Sequence, residues 1–374
     1  PSGGRITQVL AAAASGKTTT MVALVEYLRA LGHGIKNNDA GGTFTCYALF
    51  NKSAAVDVGG EKGRMSSLPS EAQDSVSSGT IHHLMLRFCP DLITANGKGN
   101  VRFPNGKGNP QGKWECKRLS QEKTEAYILQ HWGNDISRYV IGGDEAAQLS
   151  AGEQRKLDKD KKLCAFWAYK TWLNFLHRKG GLAALTPDNV DARGIGRLTY
   201  YPAVRNHLER DSKKKRLARA ASPGTFYTSL VLAMWRRSVQ VEHTFLTDDA
   251  YVKYCEVHDT RFNHFNGILI DESQDLSECQ LQVLVVQQPH ADVYIVGDAV
   301  QSLYSFRGAR PKQLRELATS VAGPPSRAVH EELQLTSSHR FGEGIARIAN
   351  HFLFIKTHSR QHATWHPYTV AGAG

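Results

Sequence analysis

A chain of 374 residues, 41% hydrophobic and 22% charged, has ordinary globular composition with room for two or three cored domains, which excludes a disordered chain. Its 46 Lys and Arg against 35 Asp and Glu leave a net charge of +11, which favours a polyanionic partner such as nucleic acid without requiring one. No apolar run approaches ~18 residues and no secretory signal opens the chain, so membrane and secreted readings fall away and an intracellular protein is expected. The six cysteines lack Cys-x-x-Cys spacing and read as reduced thiols, and the sixteen histidines lack the spacing of metal ligands.

In chain order, Thr7 to Leu10 reads as a strand, followed by a small-residue loop from Ala11 and then by helical periodicity through Val22, Leu24, Val25 and Leu28. Ser15-Gly16-Lys17-Thr18-Thr19 between them is the end of a phosphate-binding loop. Backbone N–H groups and a helix N-terminus would cradle phosphate oxygens, Lys17 would neutralise them, and Thr18 would ligate Mg²⁺. Ala11 and Ala14 stand where the generic pattern prefers glycine. After a glycine-rich bend from Gly32 to Gly42, Thr43 to Phe50 makes a second strand. It ends in Asn51-Lys52, suited to phosphate oxygens with Phe50 near bases, or in a plain helix cap formed by Asn51. Gly79-Thr80-Ile81-His82 is a further short element, in which Thr80 can cap a helix.

Residues 91–263 differ in composition. Two Asn-Gly-Lys-Gly-Asn runs, at 96–100 and 105–109, suggest a turn-rich hairpin. Helical periodicity then dominates over 124–131, 163–177 and 228–239, where Phe166, Trp167, Trp172 and Phe175 are expected in a core rather than on a stacking surface. The mixed-charge run 155–162 reads as a solvated helix. The basic run 213–219 is a nuclear import signal, a DNA phosphate contact or an exposed face.

Two continuously apolar runs follow, Gly267 to Ile270 and Val293 to Val296, each ending in acidic residues as buried parallel strands do at the carboxyl edge of a sheet. Adjacent Asp271 and Glu272 would repel unless a cation were near, and a magnesium–nucleotide complex supplies one. Asp271 would hold Mg²⁺ and Glu272 would orient and deprotonate the attacking water. Beyond the second run, Gln301 could sense a terminal phosphate while Tyr304 and Phe306 stack on bases or simply pack a hairpin. Arg340 follows a strand end and precedes a helix over 343–354.

Asp271-Glu272-Ser273-Gln274-Asp275 and Gly297-Asp298-Ala299-Val300-Gln301-Ser302-Leu303-Tyr304-Ser305-Phe306-Arg307-Gly308-Ala309 resemble motifs II and III of the UvrD/Rep-like superfamily 1A DNA helicases. Asn51-Lys52 is similar to motif Ia and Thr80-Ile81-His82 to motif Ib. Phe50-Asn51-Lys52-Ser53, Leu246 to Tyr254 and Leu335 to Gly342 look closest to the F-box DNA helicase branch. The family begins its phosphate loop with alanine, as Ala11 does, but Ala12 and Ala14 depart from its usual glycines.

The resemblance implies an α/β fold: a RecA-like P-loop NTPase with a parallel sheet and a mostly helical insertion. The organisation it implies is motor domain 1A over 1–90 and 264–330, a 1B-like insertion over 91–263, and the start of motor domain 2A over 331–374. It implies Mg²⁺-dependent ATP hydrolysis that drives movement along single-stranded DNA or at a single-strand/duplex junction, in DNA repair or recombination. Glu272, Gln301 and Arg340 would be catalytic, Arg340 reaching the γ-phosphate from the second motor domain. Phe50, Asn51, Lys52, Thr80, His82, Tyr304 and Phe306 would contact DNA. An adenine-reading motif before the phosphate loop and motifs V and VI are missing from this sequence, so an incomplete motor is expected. A catalytically impaired DNA-binding fragment and another P-loop NTPase remain alternatives, and a nuclear location is expected if the source is eukaryotic.

Overall fold

The computed structural model describes residues 4–11, 15–31, 44–50, 52–59, 62–88, 115–141, 149–190, 223–263, 265–298, 301–302, 309, 329–339, 342–358 and 369–370. The chain divides into two compact units, residues 1–93 with 258–374, and residues 94–257. In order, the first unit opens with β1 (Ile6–Ala11), α1 (Lys17–Ala30), β2 (Phe44–Leu49), α2 (Lys52–Gly59), α3 (Ser70–Asp74), β3 (Val76–Thr80) and α4 (Ile81–Phe88). The second holds β4 (Glu115–Cys116), α5 (Gln121–Ile141), α6 (Ala151–His177), α7 (Pro223–Trp235), β5 (Thr244–Phe245) and α8 (Asp248–Val257). The first resumes with β6 (Phe265–Ile270), α9 (Glu278–Leu281), β7 (Asp292–Gly297), β8 (Val329–Leu335), β9 (Ser337–Ser338), α10 (Glu343–His358) and β10 (Thr369–Val370).

The first unit is built on a six-stranded sheet of order β3-β2-β6-β7-β1-β8, parallel at every pairing. Its central strands are apolar almost without interruption because both faces are covered: Ile268, Leu269 and Ile270 of β6, and Val293, Ile295 and Val296 of β7, are all buried. On one face α1 sends Met21, Val22, Val25 and Leu28 against Val9, Tyr47, Leu269 and Val296. Parallel pairing sends every strand's carboxyl end to one edge, so the loops after β1, β2, β6 and β7 open there.

The α/β fold with a parallel sheet is the one the motifs imply. Residue 330, where one domain was expected to give way to the next, lies in β8, which pairs with β1 from Ile6↔Val329 to Ala11↔Leu335. The first sheet therefore continues through Leu335. The hairpin at 96–109 and the basic run at 213–219 lie outside the described residues.

The second unit is mostly helical and has its own core. Trp172, Phe175 and Trp235 are buried together, with ring centroids 6.1 Å apart for Trp172–Trp235 and 5.5 Å for Phe175–Trp235. Phe166 and Trp167 are only half-buried. A capping box closes the start of α6, where Ser150 Oγ accepts from the Glu153 N–H and the Glu153 carboxylate accepts from the Ser150 N–H. The charge run expected to be a solvated helix lies on α6, yet Leu157 and Asp160 turn inward and are buried.

After α6 the chain turns through Gly180 and Gly181, both at positive φ (107° and 56°). Buried Lys253 and Glu256 of α8 hold that turn: Lys253 donates to Glu256 and, at 2.8 Å, to the Arg178 carbonyl, while Glu256 accepts from the N–H groups of Gly180 and Gly181. A buried charge stripped of its partner is far costlier than the pair itself. Lys253→Met leaves Glu256 buried without its cation and is expected to lower unfolding free energy by about 3–5 kcal/mol, read from urea denaturation.

Candidate active site

The phosphate loop runs from the end of β1 into α1. Gly16 has φ 83°, a conformation glycine adopts without strain, and its carbonyl accepts from the Thr20 N–H at 2.8 Å. A Cβ there would meet nothing within 4 Å, so the requirement is conformational rather than spatial. Ser15 and Lys17 are buried; Ser15 Oγ has no hydrogen-bond partner, and Lys17 forms no ion pair with the described residues. Both line a cavity of about 580 Å³ together with Gly16, Thr18, Thr19, Thr20, Arg64, Glu272, Gln301 and His339.

The acidic pair after β6 meets this loop. Thr18 Oγ1 donates to Asp271 Oδ2 at 3.0 Å across 253 positions of sequence. Asp271 is almost completely buried, and burial, with the neighbouring Glu272 charge, pushes its carboxyl above the usual range. Three donors oppose that push: Thr18 Oγ1, the Glu272 N–H at 2.8 Å to Oδ1, and the Tyr47 hydroxyl at 3.1 Å to Oδ2. The Asp271 N–H donates to the Ala48 carbonyl at 3.0 Å, which extends the β2–β6 pairing one residue past the strand.

Glu272 takes a left-handed backbone conformation, φ 52° and ψ 41°, uncommon for a side chain of its size. Its carboxylate accepts from Gln274 Nε2 at 2.7 Å, and Gln274 Oε1 accepts from the Asp298 N–H at 2.9 Å. Gln301 Nε2 donates to Asp298 Oδ2 at 2.6 Å, so one chain of hydrogen bonds runs from Glu272 to Gln301. Ser273 Oγ donates to the Val296 carbonyl at 2.8 Å, drawing the turn after β6 over the end of β7. Gly297 makes that approach possible, because a Cβ there would lie 2.4 Å from Ser273 Oγ and 2.7 Å from Gln274 Oε1.

Of the residues expected at the site, Ser15, Gly16, Lys17, Thr18, Thr19, Glu272 and Gln301 share the cavity, and Asp271 is bonded to its edge through Thr18. Arg340, Asn51, Tyr304 and Phe306 lie outside the described residues. His339, the residue before Arg340, lines the cavity. Phe50 is half-buried and Lys52 exposed where β2 gives way to α2. Thr80 Oγ1 accepts from the His83 N–H at 3.3 Å, the cap reading of that hydroxyl; His82 follows it, half-buried, in α4.

Three residues of the cavity, Thr20, Arg64 and His339, escaped the sequence reading. Arg64, on a 3-10 turn before α3, donates to Thr19 Oγ1 at 3.0 Å and to Asp57 at 3.3 Å. No motif marks it; only the fold of that turn against α1 brings it there. His339 could have been found as the neighbour of Arg340. Among the described residues no cluster of three or more His, Cys, Asp or Glu is arranged to hold a metal, and no helix is long and apolar enough to cross a membrane.

A phosphate loop after the first strand, with an acidic pair at the end of a parallel strand two places away in the sheet, defines the P-loop NTPase class. Residues 203–322 match the UvrD/REP helicase N-terminal domain. The chain is 35% identical over 156 residues to F-box DNA helicase protein 1 of Schizosaccharomyces pombe, a match covering 37% of this chain and 17% of that protein. It is 30% identical over 103 residues to F-box DNA helicase 1 of Gallus gallus, covering 28% and 9% respectively. It is 29% identical over 133 residues to the ATP-dependent DNA helicase UvrD1 of Mycobacterium bovis, covering 33% and 16%. The chain thus carries UvrD-type helicase N-terminal sequence and is homologous to these helicases over part of its length. The matches span less than a fifth of each of these relatives.

Two outcomes follow from the packing. Asp271→Asn keeps an acceptor for Thr18 and Tyr47 while removing a desolvated charge. A carboxyl whose folded pKa lies above its unfolded value loses stability as pH rises through that interval. The variant's melting temperature, followed by scanning fluorimetry, is therefore expected to gain on the parent's as pH rises above the ordinary carboxylate range. Gly297→Ala forces Ser273 and Gln274 off the end of β7 and is expected to cost about 1–3 kcal/mol in denaturant unfolding.

Proposed function

We propose that this chain is the ATP-binding part of a superfamily 1A DNA helicase or translocase, hydrolysing ATP with Mg²⁺ to move along single-stranded DNA in repair or recombination. The observation that carries the reading is the Thr18–Asp271 hydrogen bond at the cavity that also takes in Lys17, Glu272 and Gln301. The residues fit the proposed ligands on their own chemistry. Ser15 Oγ is a buried donor without a partner among the described residues, Gly16 opens the loop toward solvent, and Lys17 supplies a buried cation. Thr18 Oγ1 and Asp271 Oδ2 are hard oxygen donors of the kind Mg²⁺ takes.

In this reading Ser15, Gly16, Lys17, Thr18 and Thr19 bind the triphosphate of the ATP substrate, and Thr18 and Asp271 hold the metal. Bound Mg²⁺ would neutralise charge that develops on the phosphate oxygens. Glu272 accepts the proton of the attacking water, and Gln274 keeps its carboxylate turned by the 2.7 Å hydrogen bond. Gln301 carries the state of the phosphate end to the segment beyond β7, through its bond to Asp298. Arg64 adds a cation from a separate turn, and Arg340 is assigned to the γ-phosphate.

Phe50, Asn51, Lys52, Thr80, His82, Tyr304 and Phe306 are assigned to DNA, single-stranded or at a junction. Backbone contacts and stacking grip a strand without reading its sequence. The net charge of +11 supports a polyanionic partner. Residues 91–263 form a 1B-like insertion in this scheme, and the segment after β8 opens motor domain 2A. We place the protein inside the cell, and in the nucleus if its source is eukaryotic.

ATP hydrolysis measured with and without single-stranded DNA tests the proposal. Stimulation by the strand is expected, together with a loss of roughly a hundredfold or more in Lys17→Ala. Hydrolysis indifferent to DNA would point to another P-loop NTPase, and hydrolysis indifferent to Lys17→Ala would remove the site from the reaction.

A further inference from the structure

Tyr47 has no part in the scheme above, yet its hydroxyl touches the carboxylate on which the scheme turns. It lies in the middle of β2, paired with Ser78 on one side and Leu269 on the other, and is completely buried. Its ring belongs to the core cluster that includes Met21, Val25, Leu49 and Leu269, and its hydroxyl donates to Asp271 Oδ2 at 3.1 Å.

We propose that Tyr47 is a positioning residue that fixes the Asp271 carboxylate in the orientation a divalent cation requires; the inference rests on the magnesium–nucleotide reading and deepens it. Two features argue for the role. Oδ2 has two donors, Thr18 Oγ1 and Tyr47, while Oδ1 is taken by the Glu272 N–H. Thr18 is itself assigned to the cation, so Tyr47 is the side chain left to hold Oδ2 when Thr18 turns to its ligand.

The second feature is rigidity. A carboxylate's terminal torsion is broad and soft, so orientation must come from its partners. A ring locked in a packed core carries its hydroxyl at a fixed height above the strand, and β2 already grips the Asp271 backbone through the Ala48 carbonyl. One strand therefore holds both ends of the residue. Groups that orient metal ligands contribute to metal affinity without touching the metal.

The experiment titrates Mg²⁺ against binding of a fluorescent ADP analogue to the full chain, in the parent, Tyr47→Phe and Tyr47→Leu. Both variants lose the hydroxyl and only the second loses the ring. The half-saturating Mg²⁺ concentration is expected to rise roughly ten- to a hundredfold in both, while metal-free binding of the analogue by Tyr47→Phe stays at the parent's value. An unchanged Mg²⁺ requirement in Tyr47→Phe overturns the proposal, as does a shift confined to Tyr47→Leu, which would assign the effect to ring volume. A parent whose ADP binding ignores Mg²⁺ would overturn the magnesium reading itself and this inference with it.

Discussion

The contact between Thr18 and Asp271 is the constraint on which the site depends. It joins the first turn of α1 to the end of β6, two places separated by most of the chain and by the whole of the second unit in sequence. The sheet makes it possible: β7 lies between β1 and β6, all three run parallel, and their loops leave from the same edge. A register shift of one residue would turn Asp271 to the opposite face. The Asp271 N–H bond to Ala48 and the apolar run Ile268 to Ile270 guard against that shift.

Such a site is bought with local instability. Asp271 is desolvated beside a second carboxylate, Ser15 Oγ is buried without a partner, and Glu272 sits in the left-handed region. Each feature costs free energy in the absence of a ligand and is retained because the surroundings over-determine it. Apolar burial across both faces of the sheet provides that surplus, and hydrogen bonds apply it locally. Gln274 is the economical case, since its one amide orients Glu272 and accepts from Asp298, linking the turns after β6 and β7.

The second unit follows different rules. Its stability lies in aromatic packing around Trp172, Phe175 and Trp235, and in one buried ion pair whose carboxylate also caps the turn after α6. The Lys253–Glu256 pair is further held by the Arg178 carbonyl, the Gly180 and Gly181 N–H groups and the Phe175 ring 4.8 Å from Lys253 Nζ, the condition under which buried charge is tolerated.

The sequence by itself determined four strands of the sheet, β1, β2, β6 and β7, with the phosphate loop and the acidic pair, because each is local: continuous apolar runs, a glycine before a helix start, carboxylates directly after a strand. It also carried the helical character of the insertion through the spacing of its aromatic residues. Tertiary structure alone decided that β8 belongs to the first sheet, that Arg64 and His339 face the cavity, and that Tyr47 reaches Asp271. Strand partners and side-chain contacts across a sheet depend on which distant segments lie side by side, and no pattern within a few residues encodes that. A tyrosine in a buried strand reads as core whether its hydroxyl meets solvent, a carbonyl or the carboxylate of a metal site; only its neighbours tell these apart.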